Sequence, residues 1–250
     1  MTVVEHLTEL RYRMMVSILA FVVCSVIAWF LYPRIVHVLT LPLRTELPAL
    51  RRHGVKVPDQ LNVSGVVTAF LVKFKVTIFG GIVLSMPIWL YQVWRFITPG
   101  LEQKEKRYAF PFVLSSLLLF AMGAVFAYIV LPPALGFLLG FAKGLAPLIF
   151  VDEYLKFVIF MILAFAITFE LPLVLVFLGI ARVIKSTQLR KYRRHAFVAC
   201  FVIGAVATPS QDPYSMTLMA VPLYILYEAA VLVIRGIERG RKRAENTSEG

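Results

Sequence analysis

Residues 14–32, MMVSILAFVVCSVIAWFLY, form a nineteen-residue run without a single charge. About 20 apolar residues in a helix cover the roughly 30 Å hydrocarbon core of a bilayer. Inside that layer only helices and closed barrels satisfy their own backbone. Five further candidates follow, at about 76–94 (interrupted by Pro87), 108–131, 157–180, 196–207 and 216–234 (containing Pro222 and Glu228). Composition agrees: 60% of the 250 residues are hydrophobic and only 16% are charged, against roughly a quarter charged in soluble domains. The expected fold is an all-α integral membrane protein. Residues 1–235 form a six-helix transmembrane domain, and residues 236–250 a disordered cytoplasmic tail. The last two spans are short. At 1.5 Å per residue the fifth is roughly 18 Å long, and TPSQDPY, 208–214, joins it to the sixth as a tight antiparallel hairpin.

Lys and Arg set the orientation. With the N-terminus in the cytoplasm, the cytoplasmic segments hold seventeen of these residues and the external loops six. That asymmetry predicts both termini inside. The first external loop is the local exception, with five basic residues. Its LTLPLRTELPALRRHG stretch has the leucines of short interfacial helices rather than of a floppy loop.

Several function classes are excluded or disfavoured. The net charge of +12 suits cytoplasmic loops of a membrane protein, and no nucleic-acid partner is expected. Cys24 and Cys200 sit in apolar runs, and the four histidines are scattered, so no metal or cofactor is expected. GxxxxGK[ST], HExxH and GxSxG are absent, and the chain is not expected to be an enzyme. The first dozen residues lack the pattern of a cleavable signal peptide. GFLLG, 136–140, has the small-xxx-small spacing of packed spans but follows Pro132-Pro133.

On a basic cytoplasmic face the acids stand out. Glu5 and Glu9 lie at i, i+4 in VVEHLTELRYRMM, whose Leu7, Leu10 and Met14 would rest on the bilayer surface. Arg13, four residues beyond Glu9, offers a local ion pair. In FITPGLEQKEKRY, Pro99 and Gly100 end the second helix and a new helix starts near Leu101, with Glu102 and Glu105 sharing a face in its first turns. Two acid pairs on one membrane face could converge on a planar cationic guest, such as a pair of arginines. Glu170 lies near the midplane, roughly 20 Å along its helix from Lys156 and roughly 16 Å from Ala181. A carboxylate there costs about 3 kcal/mol or more if ionised, so it should be protonated or hydrogen-bonded within the bundle. Pro172 removes the amide that would bond the Thr168 carbonyl, which predicts a bend just before it. Asp212 is placed to cap the sixth helix, and Glu228 to reach the basic interface.

Six stretches in order give the chain a resemblance: EHLTELRYR; P-IWLYQVWRFITPGL-EKR; FAMGAVFAY; ITFELPLVLVFLG; RKYRRHAFV; and TPSQDPYSMTLMAVPLYILYE. From Glu5 to about Glu228 it resembles the TatC family, the polytopic subunit of the twin-arginine protein translocase. The resemblance implies a cupped six-helix bundle in the bacterial cytoplasmic (inner) membrane. It implies a receptor for twin-arginine signal peptides of folded precursors. Such a receptor works with TatA- and TatB-type single-span partners and further copies of itself, and exports cargo on the proton-motive force. Glu9 and Glu105 match the family's signal-recognition carboxylates. Leu10 and Arg11 belong to the same first motif, and Phe96, Pro99 and Leu101 match the loop framework that shapes the site. Glu170 matches an intramembrane glutamate on the concave face, Pro42 a proline of the first external loop, and Asp212 the acid of the last external turn. Ser215-Met216 departs from the Ser-Gln of many relatives, which bears on a polar patch for a partner helix, and TPSQDP is one residue longer than the commoner turn.

Two other readings compete. A proton-coupled secondary transporter using Glu170 would show internal symmetry with paired broken helices, and the two halves of this chain do not match. An intramembrane enzyme would need a nucleophile and base in its spans, and neither a Ser/His nor an Asp/Asp arrangement is present.

Overall fold

A computed structural model gives the fold; it describes residues 3–52, 54–55, 61–97, 109–142, 145, 147–208 and 212–248. The described residues contain eight helices: α1 Val3–Arg52, α2 Val66–Ile97, α3 Ala109–Gly140, α4 Val151–Thr168, α5 Leu171–Ile180, α6 Ser186–Lys191, α7 Arg193–Ala207 and α8 Pro213–Ser248. They contain no strand, only an isolated parallel bridge in which Asn62 pairs with Phe150. Five stretches are long and apolar enough to cross a membrane: Val4–Arg52, Thr68–Phe96, Phe110–Gly140, Val151–Ile180 and Pro213–Arg241. With the shorter α7 they make up the six expected spans. Large apolar side chains are exposed along all of them, for example Leu19, Phe74, Leu118, Phe160 and Ile225, as helices facing lipid require.

The chain divides into two compact units. The first is Met1–Gly100 with Val125–Leu163, and the second is Leu101–Ala124 with Ala164–Gly250.

The first unit is built on α1 and α2, which run antiparallel. Arg13 meets Gln92, Trp89 donates its ring N–H to the Ser17 carbonyl at 3.2 Å, and the Lys73 ammonium lies 3.9 Å over the Trp29 ring. The expected break after residue 32 does not occur. α1 continues for 50 residues with Pro33, Pro42 and Pro48 inside it, so the leucines expected to form separate interfacial helices extend the first span instead. Their spacing explains this: Leu39, Leu43, Leu47 and Leu50 recur at helical intervals and are buried, whereas Ala28 is the one buried apolar residue of 14–32. Helix interiors tolerate proline only where the freed carbonyl finds another partner. Pro42 frees the Val38 carbonyl, and the Tyr128 hydroxyl donates to it at 2.8 Å. The Tyr154 hydroxyl donates to the next carbonyl, Leu39, also at 2.8 Å. Pro42 itself is fully buried. It therefore lies in a helix rather than in the loop where the sequence reading puts it.

In the second unit, α7 and α8 form the expected antiparallel hairpin. Gly204 backs onto Met216, Cys200 packs with Ala220 and Leu223, the rings of Phe197 and Tyr224 meet edge to face at 5.4 Å, and Arg193 pairs with Glu228 at 2.6 Å. Asp212 caps α8: its Oδ1 accepts the Ser215 N–H at 2.7 Å, with Pro213 in the first helical position. Of the last two helices α7 is short, at 15 residues, while α8 runs for 36. The difference lies in the tail. Residues 236–248, expected to be disordered, continue α8 as helix. The Glu238 carboxylate accepts the Ser186 N–H at 2.9 Å, and Arg241 donates to the Ile180 carbonyl at 2.9 Å. Those two bonds tie the basic tail back to the end of α5 and the start of α6. α5 itself packs on α8 at Gly179, where an added Cβ would lie 2.7 Å from the Ile234 side chain.

Candidate functional site

Two carboxylates singled out in the sequence occupy defined positions. Glu9 stands two turns into α1, half-buried, and Arg13 one turn further on grips its Oε1. The Arg13 Nε donates to it at 3.1 Å and the guanidinium Nη2 closes the ion pair. Arg13 Nη1 also donates to the Gln92 side-chain oxygen at 3.3 Å, which fastens α1 to the end of α2. One turn before Glu9, His6 stacks on Phe96 with ring centroids 4.4 Å apart. Phe96 is half-buried, as is Leu10, and Arg11 is exposed. The second oxygen of Glu9 is buried and has no partner among the described residues. A buried carboxylate oxygen without a donor loses hydration and gains nothing in return. A cationic donor arriving there would make a charge-assisted bond. Pro99, Leu101, Glu102 and Glu105, and the helix expected to begin near Leu101, lie outside the described residues.

Glu170 sits between α4 and α5, where the expected bend takes the form of a two-residue interruption of the helix. The helix stops at Thr168, Phe169 and Glu170 form a turn, and Pro172 falls in the first turn of α5. The Glu170 carbonyl accepts from the N–H groups of Leu173 and Val174, both at 3.1 Å, restarting the helix. The side chain is half-buried. Ser116 on α3 donates its hydroxyl to Oε2 at 2.6 Å, and Oε1 is buried with no partner among the described residues.

Gly123 makes that bond geometrically possible. A Cβ there would stand 2.8 Å from the Phe165 carbonyl oxygen and 2.9 Å from the Ala166 Cα. Only a residue without Cβ permits this approach of α3 to α4. Ser116 and Gly123 are seven residues apart, so they share a helix face. Ser115, next to Ser116, and Pro172, two residues after Glu170, help line an apolar cavity of about 540 Å³ together with Phe112, Met122, Val176 and Val233.

The sequence reading missed Gln92, His6 and Ser116. A signal for Ser116 was present, since a serine and a glycine at i, i+7 in an otherwise apolar span mark a packing face with a spare donor. Nothing local in the sequence announces Gln92 as the partner of Arg13, because they are 79 residues apart. Met216, which stands where many relatives have glutamine, is half-buried with its backbone against Gly204 of α7.

These features define a multi-pass helical membrane protein. It carries one carboxylate where α1 meets α2 and another in a broken span, each with one oxygen unused. Comparison with known proteins gives the class a family. The family described as "Sec-independent protein translocase protein (TatC)" matches residues 5–222. The TatC of Frankia casuarinae is 41% identical over 241 residues, which is 93% of this chain and 65% of that protein, so the chain spans just under two thirds of that relative's length. The TatC of Aquifex aeolicus is 40% identical over 249 residues, 98% of this chain and 99% of its own length. A solved structure described as "Crystal Structure of Twin Arginine Translocase Receptor- TatC" superposes with a TM-score of 0.76 at 40% identity, covering 92% of this chain and 98% of that one. The chain belongs to the TatC family and is a subunit of the twin-arginine translocase.

Proposed function

We propose that this subunit is the translocase's receptor for twin-arginine signal peptides. Glu9 and Glu105 take the arginine pair, and Leu10, Arg11, Phe96, Pro99 and Leu101 frame the site. The observation that carries the reading is the Glu9 carboxylate. One oxygen is held in place by Arg13, which is itself tied to Gln92, and the other is buried without a donor. A guanidinium supplies the planar donors that oxygen lacks. Recognition then needs a guest with two adjacent cations, one for each carboxylate. The chain lies in the bacterial cytoplasmic (inner) membrane with both termini inside, a reading supported by seventeen basic residues against six. TatA- and TatB-type single-span partners and further copies of the chain complete the translocase, which exports folded precursors on the proton-motive force. Glu170 and the adjoining apolar cavity accept a membrane-embedded helix of signal or partner during transport, with Pro42 and Asp212 holding the architecture.

Site-specific photocrosslinking tests the receptor reading. A photoreactive residue at position 9 or 105 should capture a precursor bearing consecutive arginines and miss the same precursor with both arginines replaced by glutamine. Equal capture of the two precursors overturns the assignment.

A further inference from the structure

We propose that the pocket where α5 and α6 meet α8 binds the phosphate of an anionic phospholipid headgroup. The pocket has a volume of about 670 Å³ and is lined by six basic residues, Arg182, Lys185, Arg190, Arg235, Arg239 and Arg241. Its one acid is already engaged, because both Glu238 oxygens accept from Ser186, one from the N–H and one from the hydroxyl. Arg241 is engaged as well, on the Ile180 carbonyl. The other five cations have no carboxylate partner among the described residues. Like charges crowded around one concavity raise its potential and attract a counter-anion.

The walls are built rather than incidental. Tyr227 donates to the Leu189 carbonyl at 2.8 Å and fixes α6 against α8, while Glu238 fixes the start of α6. Arg182 stands just past the end of α5 with φ 61°, alone among the described non-glycine residues in having positive φ. Glycine is the usual residue at this place after a helix, since it takes the left-handed conformation without steric penalty. A turn needed only for chain reversal would be better served by glycine. Arginine in its place adds a cation to the rim.

Position identifies the source of the phosphate. On α8, Val221, Ile225 and Leu232 are exposed, and they stand at i, i+4 and i+11 with Arg239 at i+18, all on one face. That face carries Ile225 and Leu232 on either side of Glu228, whose charge Arg193 neutralises at 2.6 Å, and it becomes cationic at its end, with Arg235 and Arg239 at the pocket. A lipid at that end would place its headgroup among the arginines and its acyl chains along Leu232 and Ile225, past the neutralised Glu228–Arg193 pair. Basic pockets at the ends of spanning helices bind anionic headgroups in this way. The proposal does not depend on the signal-peptide reading, because none of these residues belongs to that site.

The test is native mass spectrometry of the full chain, purified in detergent and offered an equimolar mixture of phosphatidylglycerol and phosphatidylcholine. The wild type should retain phosphatidylglycerol in preference. Arg182→Gln, Arg235→Gln and Arg239→Gln combined should lower its apparent affinity by about tenfold or more, with phosphatidylcholine retention and helical content unchanged. The same three positions as lysine should keep the preference, which separates lost charge from lost folding. Three glutamines placed remotely, at Arg34, Arg44 and Lys75, should leave it intact. Unchanged phosphatidylglycerol retention in the first variant overturns the proposal. Displacement of the lipid by inorganic phosphate, at an ionic strength where chloride displaces nothing, overturns the lipid assignment in favour of a free-phosphate site.

Discussion

Glu9, in the first turns of α1, and Glu170, between α4 and α5, each engage one carboxyl oxygen and keep the other buried without a partner among the described residues. What holds the first oxygen differs. At Glu9 it is a guanidinium, itself anchored on Gln92, so the carboxylate keeps its negative charge compensated and its direction fixed. At Glu170 it is a neutral serine hydroxyl at 2.6 Å, on a helix brought close by Gly123. The first arrangement is an ion pair tied across two helices, with one carboxyl oxygen left open to a further donor. The second suits a carboxyl that must be tolerated inside an apolar layer, where a lone charge is expensive. The same side chain thus sits in two different settings, and its neighbours distinguish them.

The largest expected effect tests the charged side of this contrast. The receptor reading assigns each guest arginine a charge-assisted bond, worth about 1.5–3 kcal/mol at best and less where water screens it. Glu9→Ala combined with Glu105→Gln should weaken binding of a twin-arginine precursor by about a hundredfold, measured by fluorescence anisotropy with the purified chain. Glu170→Ala should leave the same affinity within about twofold. If Glu170→Ala weakens binding as much as the double variant does, the division of tasks between the two carboxylates fails.

The next effect concerns how Glu170 is held. Gly123→Ala sets a methyl group against the Phe165 carbonyl oxygen and the Ala166 Cα, which are backbone atoms unable to rotate away. Overpacking of this kind costs typically about 1–3 kcal/mol. The variant should show a lower midpoint of thermal unfolding in detergent. Precursor affinity at the Glu9 site should change little. An unchanged midpoint would mean that α3 and α4 can separate at no cost, and that the Ser116 bond does not depend on this approach.

How much of this was legible in the sequence follows from the range of the forces involved. The spans were legible because lipid demands long apolar runs, and each run carries its own signal. The interruption at Glu170 was legible as a bend, because a proline acts on a carbonyl four residues away. The continuation of α1 through Pro42 was not, since the hydroxyls that rescue the Val38 and Leu39 carbonyls belong to Tyr128 and Tyr154. Those tyrosines lie 90 and 115 residues further along the chain. The helical tail was missed for the same reason: a polar, basic stretch reads as disordered until Glu238 and Arg241 find Ser186 and Ile180. At the candidate sites the carboxylates were readable as charges out of place. Their partners were readable only within one helix, as Arg13 was for Glu9, and not across helices, as with Gln92 and Ser116.

The smallest effects sharpen the neutral side of the comparison. Ser116→Ala removes one hydrogen bond to Glu170 and leaves a second buried oxygen without a donor, an expected loss of about 1 kcal/mol in stability. Glu170→Gln keeps nearly the same volume and can still accept from Ser116, but it cannot ionise. Glu170→Ala removes the carboxyl altogether. If the carboxyl serves only to join α3 to the break between α4 and α5, stability should fall in Ser116→Ala and Glu170→Ala alike, with transport by Glu170→Gln at the wild-type level. If it also meets a helix during transport, as proposed, Glu170→Ala should fold and bind precursor yet export it several-fold more slowly. Ser116→Ala, which spares the carboxyl, should then export nearly normally. Export rates into membrane vesicles, read beside unfolding midpoints for the three variants, separate the two outcomes. Transport that tracks stability across all three would reduce Glu170 to a structural bond.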